Sequence, residues 1–265
     1  MTMNVEFTLE SIKKYILDQL KNNESFFFNE LEVQMFVARK LEQVFKDGYK
    51  IHVEYQLPRG WNKVFDDKYQ RWGTEKPYFD IVVENENNNK FIAIELKYKL
   101  KEIKLKGNKQ FLRFGEKSYT ENLVLVTNQS AENEGRYDFW KDVKRIEILT
   151  KSFSRNVVGG IAIFVTNQKN YKNNKSEFKY SNFNLSNSKG GFLYWGNKYY
   201  EVKEDIPKGE KLKKNKEHKE NWGENWEHWE RPNFTLEYKY SNLEWISLNN
   251  DFHCYSVIIP PFSVE

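Results

Sequence analysis

The stretch at residues 77–99, PYFDIVVENENNNKFIAIELKYK, constrains the fold of this chain more than any other. It contains two short runs of strand-forming residues, at 79–83 and 91–96, joined by an Asn-rich and charged segment at 84–90. Alternating β-branched and aromatic residues on either side of an Asn cluster are typical of two antiparallel strands joined by a turn. The stretch therefore predicts a β-hairpin.

Three charged residues occupy unusual places in this hairpin. Asp80 stands at the start of the first strand, and Glu95 and Lys97 stand within or just past the second. Side chains two residues apart on a strand share a face, so Glu95 and Lys97 project together and Asp80 can reach them from the neighbouring strand. Two converging carboxylates need a further partner, and a divalent cation would supply it. A solvated edge hairpin is the alternative, but it does not explain why Glu95 follows four apolar residues.

The order of these residues resembles a known signature. Asp80, followed after the turn by Glu95-Leu96-Lys97, is similar to the D…(D/E)-x-K pattern of the PD-(D/E)XK nuclease superfamily, which has the restriction-endonuclease-like fold. The match departs in one detail, because Phe79 rather than proline precedes Asp80 and the nearby proline is Pro77. The part of the chain beyond residue 231 also looks similar to uncharacterised bacterial members of that superfamily.

The resemblance implies a metal-dependent phosphodiesterase site. Asp80, Glu95 and the backbone carbonyl of Leu96 would supply oxygen ligands for Mg²⁺ or Mn²⁺. Lys97 would orient a water molecule or stabilise the charge of the transition state. The first core helix of the superfamily often contributes a glutamate, and we expect Glu30 in that role.

The choice of Glu30 depends on a predicted helix in FFFNELEVQMFVARKLEQVFKDG, residues 26–48. Glu30 shares a helix face with Val33 and Val37, the side predicted to be buried. Glu32 is the rival, but it leans toward the opposite side. The alternative for Glu30 is a glutamate that only complements the helix dipole. An earlier helix is predicted at 8–22, and a strand at 49–57.

Basic residues on both sides of the hairpin are candidates for nucleic-acid binding. Arg59, Lys63 and Arg71 belong to a loop that also holds two tryptophans, and Lys99 and Lys101 follow the motif strand in a predicted β-ribbon. Such residues can contact phosphates while aromatic rings stack on bases. Tryptophans that only pin the loop, and lysines that only protect a sheet edge, are the alternatives.

The later chain completes the expected core. A helix is predicted at 135–151, where Phe139, Val143, Ile146 and Leu149 repeat at helical spacing and Arg145 lies off this stripe. A buried strand follows at 159–167. The fold class is therefore α/β, or α+β, with a restriction-endonuclease-like αβββαβ core whose mixed central sheet is flanked by helices. We place this core at 1–170 and a β-rich, aromatic-rich extension packed on it at 171–265, with a hairpin near 190–202 and a final strand near 252–262.

Composition narrows the remaining possibilities. The 265 residues include 42 basic and 38 acidic ones, a balance too even to indicate nucleic-acid binding by itself. One cysteine, Cys254, excludes an intramolecular disulfide and suits a reducing compartment. No signal peptide, membrane span, P-loop or zinc spacing is recognised, so we expect a soluble cytoplasmic protein without a membrane partner.

Together these features predict a Mg²⁺- or Mn²⁺-dependent nuclease, acting on nucleic acid and on DNA in the first place, in restriction, phage defence or repair. A homodimer is one option for its assembly. Two alternatives from other classes stay open. The chain is either a nucleic-acid-binding module without catalysis, or an interaction protein of a defence system that acts through its C-terminal part.

Overall fold

The structure is a computed structural model that describes most of the predicted core and part of the C-terminal region. The described residues are 5–24, 27–57, 78–105, 123–127, 129, 132–172, 192–193, 234–236, 240, 245–249 and 251–262. The basic loop that contains Arg59, Lys63 and Arg71 lies outside them, so the predictions for these three residues stay predictions.

Four helices and ten strands are present in the described residues. In chain order they are α1 (Leu9–Lys21), α2 (Glu30–Val44), β1 (Tyr49–Gln56), β2 (Tyr78–Asn85), β3 (Lys90–Lys99), β4 (Ile103–Leu105), β5 (Leu123–Val126), α3 (Glu132–Ser152), β6 (Val157–Thr166), α4 (Lys169–Lys172), β7 (Phe192–Leu193), β8 (Phe234–Thr235), β9 (Trp245–Ser247) and β10 (His253–Ile259).

Six of the strands form one mixed sheet in the order β1-β2-β3-β6-β10-β9. Only β3 and β6 are parallel, and every other neighbouring pair is antiparallel. A parallel pair needs a crossover connection, and α3 lies in the connection between β3 and β6. From α2 to β6 the elements follow the predicted order αβββαβ once β4 and β5, which form a separate two-stranded sheet, are left aside, and the mixed α/β class is confirmed.

Helices cover both faces of this sheet because each helix has one apolar face. Thr8 and Asn29 are the N-caps of α1 and α2, accepting hydrogen bonds from the backbone N–H groups of Ser11 and Glu32. The buried residues of α1 and α2 pack with Ile81, Ile94 and other residues on one face of the sheet. Those of α3 pack on the opposite face. None of the described helices is both long and apolar enough to cross a membrane.

The C-terminal residues are part of the same sheet. The predicted final strand is confirmed as β10, and it pairs along its whole length with β6 while its other edge pairs with β9. The boundary predicted at residue 170 therefore falls between strands of a single sheet. Of the hairpin predicted near 190–202, the structure describes only β7, which pairs with the distant β8.

Candidate functional site

The hairpin places Asp80 and Glu95 opposite each other where the ladder between β2 and β3 stops. The last paired residues are Ile81 and Ile94, so Asp80 and Glu95 occupy the next position on each strand. Ile94 and Leu96 face α1 and α2. Glu95 and Lys97, which alternate with them, therefore project toward α3, on one face as the sequence predicts.

Asp80 is held by backbone and side-chain donors. Its Oδ2 accepts a 2.6 Å hydrogen bond from the Leu96 backbone N–H, which takes the place of a ladder bond beyond Ile81. The buried Gln34 of α2 donates through Nε2 to the Asp80 carbonyl oxygen at 2.9 Å and approaches Asp80 Oδ1 at 3.4 Å. The same nitrogen lies 2.8 Å from Glu54 Oε1 on β1. Asp80 therefore has a fixed orientation, set by two neighbouring elements.

Glu30, rather than Glu32, lies beside the motif lysine. Glu30 Oε1 is 3.2 Å from Lys97 Nζ, and Glu30 Oε2 accepts a 2.8 Å hydrogen bond from the Tyr98 backbone N–H. Glu32 Oε2 instead accepts from the Phe28 backbone N–H at 2.9 Å, outside the site. Glu30 stands at the first position of α2, where the helix dipole stabilises a negative charge.

The free edge of β3 explains part of this arrangement. Beyond Ile94 three alternate N–H groups, those of Leu96, Tyr98 and Leu100, are satisfied by side chains rather than by a neighbouring strand. Their acceptors belong to Asp80, Glu30 and Gln129. Such groups are costly when buried without an acceptor, so Asp80 and Glu30 stabilise the sheet edge as well as forming a charge cluster.

Helix α3 contributes two further charged residues, Asp142 and Arg145. Arg145 Nη1 lies 3.2 Å from Glu95 Oε1 and 3.3 Å from Asp142 Oδ1. The other oxygen, Asp142 Oδ2, lies 3.7 Å from Lys97 Nζ. The guanidinium of Arg145 also donates to the backbone carbonyl of Tyr78 and packs 5.1 Å from the Phe79 ring centroid. Arg145 thus contacts both strands next to the facing carboxylates.

Arg145 is largely buried, although it lies off the apolar stripe of its helix as the sequence predicts. Its side chain is 16% exposed and lies between β2, β3 and Asp142. Its buried position depends on the carboxylates around it, which offset the cost of removing a guanidinium from water.

The charges of this cluster do not balance. It contains four carboxylates, those of Glu30, Asp80, Glu95 and Asp142, and two cations, Lys97 and Arg145, so its formal charge is −2 when every group is ionised. The pKa of Asp80 is raised to about 7, mainly by burial and further by the charges of Asp142 and Glu30, while the hydrogen bond from the Leu96 N–H acts to lower it.

The pKa values of Glu95 and Lys97 are both raised, and neighbouring carboxylates contribute to each increase. Burial raises the pKa of Glu95 well above its usual value, although Arg145 acts to lower it, and the charge of Asp80 adds to the increase. Burial acts to lower the pKa of Lys97, but Asp142, Glu30 and Asp80 outweigh it and the pKa is raised. Lys97 is therefore an ammonium ion, and the surplus negative charge attracts protons or a cation.

The donor set fits a magnesium-type cation. Glu95 Oε1 is buried and lacks a hydrogen-bond partner, because its contact with Arg145 is an ion pair without hydrogen-bond geometry. Among the described residues no group of three or more His, Cys, Asp or Glu side chains has the arrangement of a metal site. Mg²⁺ commonly uses only one or two carboxylates together with water and substrate phosphate. Asp80, Glu95 and the Leu96 carbonyl can supply that smaller set.

The predicted phosphate-binding lysines lie beside the cluster and not in it. Lys99 follows Lys97 on β3, and its Cε lies against Gly135 near the start of α3. Lys101 is exposed just past β3, where its backbone N–H donates to Asn167 Oδ1 at 2.6 Å. Lys99 pairs with Thr166, the last residue of the parallel strand β6, and Lys101 follows two residues later. Both lysines therefore lie at the end of the sheet where β3 and β6 finish.

Sequence reasoning missed Gln34, Asp142 and the role of Arg145. A signal for Gln34 exists, because it precedes Ala38 and Leu41 at the spacing of one buried helix face. Asp142 and Arg145 lie three apart on α3, a spacing that predicts an ion pair but not which strand the pair meets.

No protein-family model, no curated protein and no solved structure matches this chain. The function is therefore argued from the geometry and charge of the site.

Proposed function

We propose that this protein is a metal-dependent nuclease that hydrolyses phosphodiester bonds, with DNA as its first candidate substrate. The single observation that carries the proposal is the cluster in which Asp80 and Glu95 face each other beside Lys97, with a formal charge of −2 when every group is ionised. One Mg²⁺ or Mn²⁺ ion, with its charge of +2, would neutralise it. A purely structural ion-pair network would be expected to balance its charges, because uncompensated buried charge is costly.

The hairpin residues of the cluster, together with Gln34 and Glu30, have roles in this reaction. Asp80 and Glu95 would hold the cation with the Leu96 carbonyl, and Gln34 would keep Asp80 in place. When bound, the cation supplies polarisation of the phosphate and activation of a nucleophilic water. Lys97 presents a permanent positive charge to the developing negative charge on phosphorus-bound oxygens. Glu30 holds the Lys97 ammonium from the side of α2.

The fold supports the proposal without deciding it. The order αβββαβ and the placement of Asp80, Glu95 and Lys97 at one end of a mixed sheet resemble the restriction-endonuclease-like core. A fold alone does not fix a function, so the proposed activity rests on the residues of the site. Lys99 and Lys101, at the same sheet end, would contact substrate phosphates. A role in restriction, phage defence or repair in the cytoplasm belongs to this proposal.

A second candidate is a nucleic-acid-binding module without catalysis. The observation that favours it is Arg145, whose guanidinium already pairs with Glu95 and Asp142 and so stabilises the cluster without a metal. Such a module would bind DNA through its lysines and leave it intact.

A cleavage assay separates the two candidates. Supercoiled plasmid, linear duplex, single-stranded DNA and RNA are incubated with the protein in Mg²⁺, in Mn²⁺ and in EDTA. We expect cleavage only with metal, and its loss in Asp80→Asn. Glu30→Gln should be slower by at least tenfold, while Glu32→Gln, on the same helix turn but bonded to Phe28, should match the wild type.

Binding without cleavage of any substrate, in metal and in EDTA alike, would favour the second candidate. Equal cleavage by wild type and Asp80→Asn would point to a contaminating nuclease and contradict the proposal.

A further inference from the structure

We propose that Asp142 of α3 is a positioning residue that fixes the ammonium group of Lys97, so that the second core helix completes the proposed active site. The inference rests on the proposed function, and it adds a residue to the site that the hairpin signature does not contain. The observation behind it is that the two oxygens of Asp142 contact different cations, Oδ1 contacting Arg145 and Oδ2 contacting Lys97.

The contacts of Asp142 show a bridge between the two cations of the cluster. Asp142 is 5% exposed, with Oδ1 at 3.3 Å from Arg145 Nη1 and Oδ2 at 3.7 Å from Lys97 Nζ. On its other side Lys97 Nζ contacts Glu30 Oε1 at 3.2 Å. The ammonium therefore lies between carboxylates that come from α2 and α3, one on each side of β3.

A lysine at this place needs such a bridge. Its four-carbon chain is flexible and its charge is compact, so one contact leaves several rotamers open. A group that stabilises a transition state must stay within about 0.5 Å of its productive position. Without Asp142, Arg145 and Lys97 would lose the carboxylate whose two oxygens contact both of them, and Lys97 would turn toward Glu30. The predicted consequence is a mispositioned charge in an otherwise intact site.

The same contacts argue that Asp142 does not hold the metal. Both of its oxygens face cations, whereas Glu95 Oε1 is without a hydrogen-bond partner. Loss of its charge should therefore spare metal binding and reduce the rate of the chemical step. Asp138, one turn earlier on α3, supplies a graded control because its carboxylate pairs with Lys141 at 3.5 Å and its charge acts on Lys97 less strongly than that of Asp142.

The first test is a double-mutant cycle on cleavage, with Lys97→Met, Asp142→Asn and the double variant. We expect Asp142→Asn to lower kcat at least tenfold with KM and the Kd of Mn²⁺ changed less than threefold. If Asp142 acts through Lys97, the double variant is no slower than Lys97→Met, which alone should lose about a hundredfold. Asp142→Glu, which keeps the charge, should recover part of the rate, and Asp138→Asn should stay within about twofold of wild type.

The second test needs no cleavage, so it separates failure of this inference from failure of the nuclease proposal. Thermal unfolding of the same proteins in EDTA should show Tm losses that are not additive, with the double variant losing about 2 °C less than the sum of the single variants. This holds even when the wild type cleaves nothing. Additive Tm losses, additive rate losses, or loss of Mn²⁺ binding in Asp142→Asn would overturn the proposal. If Asp142→Asn fails to fold, the cleavage rate of Asp142→Glu is compared with that of Asp138→Asn. A wild-type cleavage rate in both variants would also overturn the proposal.

Discussion

Replacing Arg145 by methionine removes a cation that contacts two buried carboxylates, those of Glu95 and Asp142. The side chains of Glu95 and Asp142 are 4% and 7% exposed, and each lies within 3.3 Å of the guanidinium. At an effective dielectric constant near 20, one such contact corresponds to at most about 5 kcal/mol. Breaking a buried pair by removing one partner costs about 3–5 kcal/mol, and we expect this loss in the free energy of unfolding at pH 8 without metal.

The size of the loss should depend on pH, because protonation of Glu95 removes the uncompensated charge. A carboxyl group whose pKa is raised by folding costs stability as the pH rises from its unfolded pKa toward its folded one. Loss of Arg145 raises the pKa of Glu95 further, since the guanidinium acts to lower it. The destabilisation by Arg145→Met should therefore be larger at pH 8 than at pH 5.5, by about 1 kcal/mol or more.

Urea unfolding in EDTA, followed by tryptophan fluorescence at both pH values, measures this effect. Lys141→Met is the control on the same helix, because Lys141 pairs with Asp138 at 3.5 Å and both side chains are 23% exposed. Its expected cost is below about 1 kcal/mol at either pH. A loss below 1 kcal/mol for Arg145→Met, or one that is equal at the two pH values, would refute the reasoning about the cluster.

Three other predictions concern neighbouring groups. The pKa of Asp80 is raised to about 7, mainly by burial, so the metal-free protein should lose up to about 4 kcal/mol of stability as the pH rises from 4 to 7. In denaturant titrations above pH 7, Mn²⁺ should offset this loss. Gln34→Leu should weaken Mn²⁺ binding about 10- to 100-fold in calorimetry, since it frees Asp80 to rotate; unchanged affinity would mean that Gln34 only packs. Tyr240→Phe should cost about 1–3 kcal/mol in urea unfolding, since the Tyr240 hydroxyl donates to buried Glu147 Oε1 at 2.7 Å, and no loss would show that water replaces it.

The local elements of the fold were predictable, because their signals are local. The hairpin follows from alternating Val and Ile around an Asn-rich turn, and α2 from Asn29 and an apolar stripe. The face shared by Glu95 and Lys97 needs only the two-residue period of a strand. The position of Glu30 follows from the same helix periodicity, which placed it on the side of Val33.

The contacts between distant elements were not predictable, because no local period encodes them. Arg145 lies off the apolar stripe of α3 and therefore looks solvated, yet the carboxylates of β3 and of its own helix keep it in the interior. The strand β10 has a clear pattern of its own, but nothing in that pattern indicates that its partner is β6, about ninety residues earlier. The pairing was missed, and the predicted domain boundary was placed between the two strands.

The central claim is that Asp80 and Glu95 form a site for one divalent cation. Calorimetric titration of the purified protein with Mn²⁺ at pH 8 tests it most directly, because the measurement requires no substrate. We expect one Mn²⁺ per chain in the wild type and in Asp138→Asn, and no binding in Asp80→Asn or Glu95→Gln. Absence of Mn²⁺ binding in the wild type, or binding of equal affinity in Asp80→Asn, would contradict it.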